Sequence, residues 1–404
     1  MNGRKEIKSF SHREMKILVA LTYYRPHTSG LTIYAERLAK AFVAHGHQVT
    51  ILTSQYEKHL PREEYLEGVR VVRAPVFFRI SKGVVMPTFG FLATKLVLES
   101  DVIQLHLPQL DAAGLAIRGR IFGKPTVITY HCDLQMPNGF LSWMANQGIN
   151  LMNYLACLFT HRIITYTEDY ASHSKLLIRF SKKIKIINPP VELPTIPEKN
   201  VSQFIKNHNP LDRHPIIGMA ARFATEKGVE VLLGALEEVI TDFPNAQAWF
   251  AGPYKNIIGE EKYYKKLIPR ISSLEKNVNW SFLGLLYPDQ MVAFYKAIDM
   301  LVIPSLNSTE SFGLVQIEAM MNGKPTIASD LPGVRQPVLK HHSGKIIPIG
   351  NSTALADAIR DIILKQEDWQ INMKDLKRIY SPNTVSAEYE KLFLEIQKEM
   401  ELQI

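Results

Sequence analysis

Cysteine is scarce: Cys132 and Cys157 are the only two in 404 residues. Two distant thiols make no disulfide framework and have no metal-ligand spacing, so a reducing, cytoplasmic setting is the expectation. No apolar run approaches the ~18 residues that span a bilayer. The opening stretch "MNGRKEIKSFSHREMK" is charged and has no apolar centre, which predicts no secretory leader. Neither G-x-G-x-x-G nor G-x-x-x-x-G-K-S/T occurs, which argues against a dinucleotide Rossmann site and a P-loop. No D-x-D-like pair suggests a metal site, and no internal repeat or low-complexity segment stands out.

What is present suits a folded globular chain. Hydrophobic residues make up 46% and charged residues 21%, and 404 residues accommodate two domains of ordinary size. Lys and Arg number 47 against 39 Asp and Glu, a formal net charge of +8. Such a surplus favours anionic partners (nucleotides, phosphorylated lipids or nucleic acid) without choosing among them.

Short apolar runs alternate with helical patterns along the chain. "MKILVAL" predicts a buried strand, "LTIYAERLAKAFVAHGH" a helix ended by Gly46, and "QVTILTS" a second strand. Strand, helix and strand make a βαβ unit in a parallel sheet. "GVRVVRAP", "DVIQLHLP", "KPTVITYHCD" and "HRIITYT" continue the series, and "KIKIINPPVELP" closes it. "PEKNVSQFIKNHNPLDRHP" reads as a polar linker. A second series runs through "PIIGMAARF", "AQAWFAGP", "VNWSFLG", "DMLVIPS" and "KPTIASD". The fold class expected is α/β, two doubly wound Rossmann-like domains facing across a cleft. Ligands of such sheets bind beyond the carboxyl ends of the strands, so the loops there are the place to search.

Four of those loops carry chemistry. In "NSTESFGLVQIEAMMNGKPTIAS", Glu310 precedes a helix expected to start near Ser311 or Phe312, and Glu318 falls about two turns along it. The amides of Gly313, Leu314 and Val315 would face an anion, while the two carboxylates accept from hydroxyls. A phosphate-bearing, polyhydroxylated ligand such as a nucleotide sugar fits; the bland alternative is a cap and a solvated helix residue. In "ARFATEKGVEVLL", Arg222 and Lys227 bracket a loop before another helix and suit a diphosphate, or else are merely an exposed basic loop. Gly30, in "YYRPHTSGLTIYAERL", admits a phosphate or is a plain turn glycine. In "TYHCD", His131 would face the cleft with Asp133 close by, while His106 reads as structural and Cys132 points away from His131.

These stretches together resemble family-4 retaining glycosyltransferases. "ESFGLVQIEAMMNGKPTIAS…LPGVRQPV" resembles the E-x7-E signature with Glu310 and Glu318 at its ends. "ARFATEKG" resembles the phosphate loop, "SGLTIYAERLAKAFVAHGHQVTILT" the N-terminal glycine loop and helix, and "VITYHCD" the Thr-x-His segment. The resemblance covers roughly Met15 to the 380s. It implies a GT-B fold, a nucleotide-sugar donor as co-substrate, retention of anomeric configuration and no obligatory metal or other cofactor. Residues 1–14 would be a tail, 15–195 the acceptor domain, 196–380 the donor domain, and 381–404 a helical segment crossing back to the first. Arg222 and Lys227 would hold the diphosphate. Glu310 and the amides of Phe312, Gly313 and Leu314 would contact the donor sugar, and Glu318 the ribose. Gly30 would approach the phosphate, His131 the sugar, and Asp133 the acceptor. Ser29 departs from the pattern, because relatives often carry a second glycine there.

The acceptor is expected to be a glycan, a lipid-linked sugar or a small molecule. "FFRISKGVVMPTFGFLATKLVLES" mixes aromatic, basic and apolar residues, as either an anionic-membrane contact or simply a strand end and core helix. Two other functions remain open: a nucleotide-sugar epimerase of the same fold, and a non-catalytic binder of anionic glycans or nucleic acid. Aromatic–basic interleaving typical of RNA modules is not prominent, so no nucleic-acid partner is expected.

Overall fold

The computed structural model describes residues 14–80, 83–134, 140–365, 369 and 371–402, with the side chains of 80 and 140–145 left aside. Residues 1–13 of the expected tail and 403–404 of the last segment lie outside the described residues.

The first unit contains β1 (Lys16–Ala20), β2 (Gln48–Gln55), β3 (Glu63–Leu66), β4 (Val69–Pro75), β5 (Phe78–Ile80), β6 (Gly83–Val85), β7 (Val102–Leu107), β8 (Thr126–Tyr130), β9 (Arg162–Thr165) and β10 (Ile184–Ile186). Eight of them form one sheet in the order β10-β9-β8-β7-β1-β2-β4-β3, and β5 with β6 forms a separate hairpin. Only β3 runs antiparallel in the large sheet. β7 and β8 are buried at every position, which is why they read as continuous apolar runs instead of alternating ones. The second unit holds β11 (Ile216–Ala220), β12 (Gln247–Ala251), β13 (Trp280–Gly284), β14 (Met300–Ile303), β15 (Thr326–Ser329) and β16 (Gly344–Ile347). They form one parallel sheet ordered β13-β12-β11-β14-β15-β16. Both sheets reverse their strand order once, at β1/β7 and at β11/β14, and a crevice opens at such a point.

Local chemistry sets the helix ends. The helix Gly30–Ala44 starts on Ser29, whose hydroxyl accepts from Thr32 N at 3.2 Å. Ser29 has extended backbone (φ −153°), so a second glycine is not required at this position. At the other end Gly46 takes φ +86°, with Gly46 N donating to Val43 O (2.9 Å) and His47 N to Phe42 O (3.0 Å), a Schellman stop.

The segment expected to be a polar linker contains the helix Glu198–His208. Val201 and Phe204 are three apart and both buried, and that apolar stripe outweighs the polar composition around it. The aromatic–basic stretch divides: β5 and β6 pair as a hairpin, and the helix Phe89–Glu99 buries Phe89, Ala93, Leu96 and Val97.

The helix Pro382–Glu401 returns to the first unit and packs on the helix Gly30–Ala44. Tyr389 OH shares hydrogen bonds with Tyr34 OH (2.8 Å) and Thr129 Oγ1 (2.7 Å). His45 Nδ1 meets Glu390 at 2.6 Å, Arg162 grips both oxygens of Glu399, and the Phe393 ring lies 6.0 Å from that of Phe42. Phe393 is fully buried in this seam. Phe393→Ala is expected to lower stability by about 3–5 kcal/mol, read as an earlier urea midpoint; an unchanged midpoint would show the seam to be dispensable.

Candidate active site

The loops that follow β11 and β14 touch because their strands are neighbours at the switch point. Leu306 N donates to Glu226 O at 2.9 Å. Gly228 makes the approach feasible: its φ is +68°, and a Cβ there would lie 2.0 Å from Pro304 O. Any side chain would push the loops apart or strain the turn. The result is that Lys227 Nζ stands 2.5 Å from Glu310 Oε2, both side chains about one-fifth exposed (19% each). Arg222 bonds Glu226 within the same loop, and Thr225 N and Oγ1 tether it to Glu260 Oε2 at 3.0 and 2.7 Å. Lys227 and Glu310 line a small cavity together with Ala220, Val302, Ser305 and Val315.

The helix after Glu310 begins later than expected. It spans Leu314–Met320, with Gly313 at φ +75° as its cap, so Glu318 lies just over one turn in rather than two. Phe312 is buried, its ring 5.6 Å from Tyr166 and 6.2 Å from Tyr380, so it anchors the loop by its side chain. Glu318 is 9% exposed, and its carboxylate meets Arg37 and Tyr295 at the seam between the domains.

The first domain supplies the opposite wall. Ser311 Oγ donates to His131 O across the cleft. Burial, then the Glu310 carboxylate, pushes the Cys132 thiol up to about 12, with Lys227 and Arg222 acting against it, so the β8 loop lies within electrostatic reach of the second-domain cluster. The ring of His131 is enclosed. Nε2 meets His106 Nδ1 at 2.8 Å and Nδ1 meets Tyr166 OH at 2.5 Å, so both nitrogens are engaged by protein. His106 is therefore structural in a specific sense: it is the partner of His131. Burial lowers His106 to about 3, and burial together with His106 holds His131 well below the ordinary imidazole range. Asp133 Oδ1 accepts from Tyr130 OH and Ser174 Oγ, each at 2.7 Å. Asp133 N donates to Tyr170 OH, which itself donates to Ser308 O at 3.1 Å. Asp133 is thus part of a strut between the domains. Nothing lies within 4 Å of a Cβ added at Gly30, so that glycine faces open space.

The structure therefore brings together Arg222, Lys227 and Glu310, sets the His131–Asp133 loop against them, and turns Glu318 toward the seam. Several residues of the seam have no sequence signal of their own. Arg335 grips Asp169 at 2.9 and 2.6 Å, and Gly333 N caps the same carboxylate at 2.9 Å. Arg335 stands in "LPGVRQPV", but its partner lies 166 residues away. Arg37 and Tyr295 are ordinary helix residues by pattern; only their spatial meeting at Glu318 marks them.

Two α/β sheets with facing switch points define the GT-B architecture. The Anabaena protein HepE, solved with UDP-glucose, superposes with TM-score 0.74 at 19% identity, covering 95% of this chain and 100% of that one. Sucrose-phosphate synthase from Thermosynechococcus elongatus gives 0.73 at 18%, covering 95% and 99%. Residues 28–194 match the Glycosyltransferase Family 4 profile and residues 200–378 match Glycosyl transferases group 1. The chain belongs to the family-4 glycosyltransferases. Among its relatives, a phosphatidyl-myo-inositol mannosyltransferase of Mycobacterium leprae is 24% identical over 92% of this chain and 98% of its own length. A GDP-mannose-dependent alpha-mannosyltransferase of Mycobacterium tuberculosis is 23% identical over 88% and 90%.

The buried histidines give the fold an acid-side liability. A folded pKa below the unfolded value means that the unfolded chain binds more protons beneath pH ~6.5. Their stabilising contribution is full above that pH and is lost as pH falls toward the folded values. The thermal midpoint is expected to drop between pH 7.5 and 5.5, and to drop less in His106→Gln; equal slopes would remove the pair from the account.

Proposed function

We propose that the protein moves a sugar from a nucleoside-diphosphate donor to a carbohydrate or lipid-linked acceptor, with retention and without a metal, in polysaccharide or glycolipid synthesis. The observation that carries this reading is the convergence of Lys227, Arg222 and Glu310 at the β11/β14 switch point. Each cation now rests on a carboxylate, Lys227 on Glu310 and Arg222 on Glu226. A diphosphate carries more charge than either and competes for both cations. Glu310 is then freed to accept from hydroxyls of the donor sugar. The donor-binding roles of Gly30, Phe312, Gly313, Leu314 and Glu318, and the acceptor role of Asp133, belong to this reading. The names of the mycobacterial relatives, one dependent on GDP-mannose and one acting on a phosphoinositide, support a nucleotide-sugar donor and a lipid acceptor.

The reaction follows from the charges. The bond from the anomeric carbon to the diphosphate oxygen breaks while the acceptor oxygen attacks from the same face. The acceptor's proton passes to the departing phosphate. Arg222 and Lys227 stabilise the negative charge that develops there. The ring of His131, with both nitrogens engaged, is assigned to holding the cleft wall through Tyr166 and His106. Arg222→Ala is expected to lower turnover by roughly 10²–10³-fold, with the thermal midpoint little changed. Near-wild-type release of nucleoside diphosphate from a panel of nucleotide sugars would overturn the assignment.

A membrane-facing acceptor has its own support. Phe77 and Phe91 are each 78% exposed and Phe78 46%, and exposed Arg79 follows Phe78 on β5. Among the described residues no helix is long and apolar enough to cross a membrane, so this edge would lie on a surface. Co-sedimentation with anionic vesicles, weakened by salt and by Phe77→Ser/Phe91→Ser, is expected; binding that ignores both would remove the membrane from the proposal.

A further inference from the structure

Glu318 is held from two sides at the meeting of the domains. Arg37 Nη2 donates to Oε1 at 3.0 Å, and Tyr295 OH donates to Oε2 at 2.7 Å. Tyr295 is fully buried; burial, reinforced by the Glu318 carboxylate, drives its hydroxyl well above the usual range, so it stays a donor. The guanidinium of Arg37 also reaches Pro190 O at 3.3 Å and Glu192 O at 2.8 Å in the stretch that joins the domains. One planar fork thus binds the first-domain helix, the crossover and a second-domain carboxylate. A lysine ammonium has no comparable fork.

A carboxylate offers about four lone-pair positions, two on each oxygen. Arg37 and Tyr295 take one on each oxygen, which leaves one on each oxygen for a ligand. Two adjacent hydroxyls match that arrangement, and the vicinal diol of a nucleotide ribose is such a ligand. At 9% exposure the carboxylate also needs a counter-charge, and Arg37 is the cation paired with it.

We propose that Arg37 is a positioning residue for the nucleotide: it orients Glu318 so that this carboxylate reads the 2′,3′-diol, and it ties that reading to the crossover between the domains. The inference rests on the donor reading above and adds to it a residue from the domain opposite the diphosphate site.

The test is calorimetric titration of the full chain with UDP and GDP, then with the 2′,3′-dideoxy form of whichever binds. Wild type is expected to prefer the ribo form by roughly tenfold or more. In Arg37→Ala and Arg37→Gln the preference is expected to fall to about threefold or less, with affinity for the dideoxy form nearly unchanged. Arg37→Lys should lie between. Each preference is a ratio within one variant, so partial loss of folded protein cancels, and a purely structural role would weaken both ligands alike. If the Ala and Gln variants do not fold, the Lys ratio decides. An unchanged ratio in the folded variants overturns the proposal, as does a wild type that binds diphosphate without distinguishing the dideoxy form. Binding of neither diphosphate would instead sink the donor reading itself.

Discussion

The close approach of two loops at the β11/β14 switch point is the constraint on which the site depends. Strand order makes the loops neighbours, and Gly228, with no side chain, lets one lie on the carbonyl of Pro304. Without that contact Lys227 and Glu310, 83 residues apart in the chain, have no reason to meet. The pairing is thus a by-product of topology plus one backbone conformation that other residues adopt only at a cost.

Charge compensation is the second theme. Lys227 with Glu310, Arg222 with Glu226, Arg37 with Glu318, and Arg335 with Asp169 are all paired, and the last two span the cleft. The loop pairs at Lys227 and Arg222 are partly exposed and worth only about 1 kcal/mol or less, so these two cations stay exchangeable, whereas Arg37–Glu318 and Arg335–Asp169 tie one domain to the other. The buried partners differ: His131, His106 and Tyr166 form a neutral hydrogen-bonded chain, which resists rearrangement because breaking it would strand polar groups away from water.

Much of the architecture was legible in the residues. Apolar runs such as "DVIQLHLP" marked the parallel strands because both faces are covered, and Gly46 marked a helix stop because only a left-handed residue closes it that way. The Glu310 and Lys227 loops were legible for the same reason: polar residues placed after apolar strands. What escaped was anything decided by long-range packing. The helix at Glu198–His208 hid behind lysines and asparagines, since two buried residues, Val201 and Phe204, sufficed to dock it. The late start at Leu314 followed from Gly313's positive φ, which composition does not announce. Arg37 gave no local signal, because its importance lies in partners 153 to 281 residues away.

The return of the helix Pro382–Glu401 to the first domain has a consequence for biosynthesis. That domain leaves the ribosome with Phe42 on its outer helix lacking the rings of Tyr389 and Phe393, and that cover arrives only after the whole second domain has been translated. Nascent chains stalled short of that helix should therefore display a sticky apolar stripe, and a chaperone that shields it during the interval would set the yield of native protein.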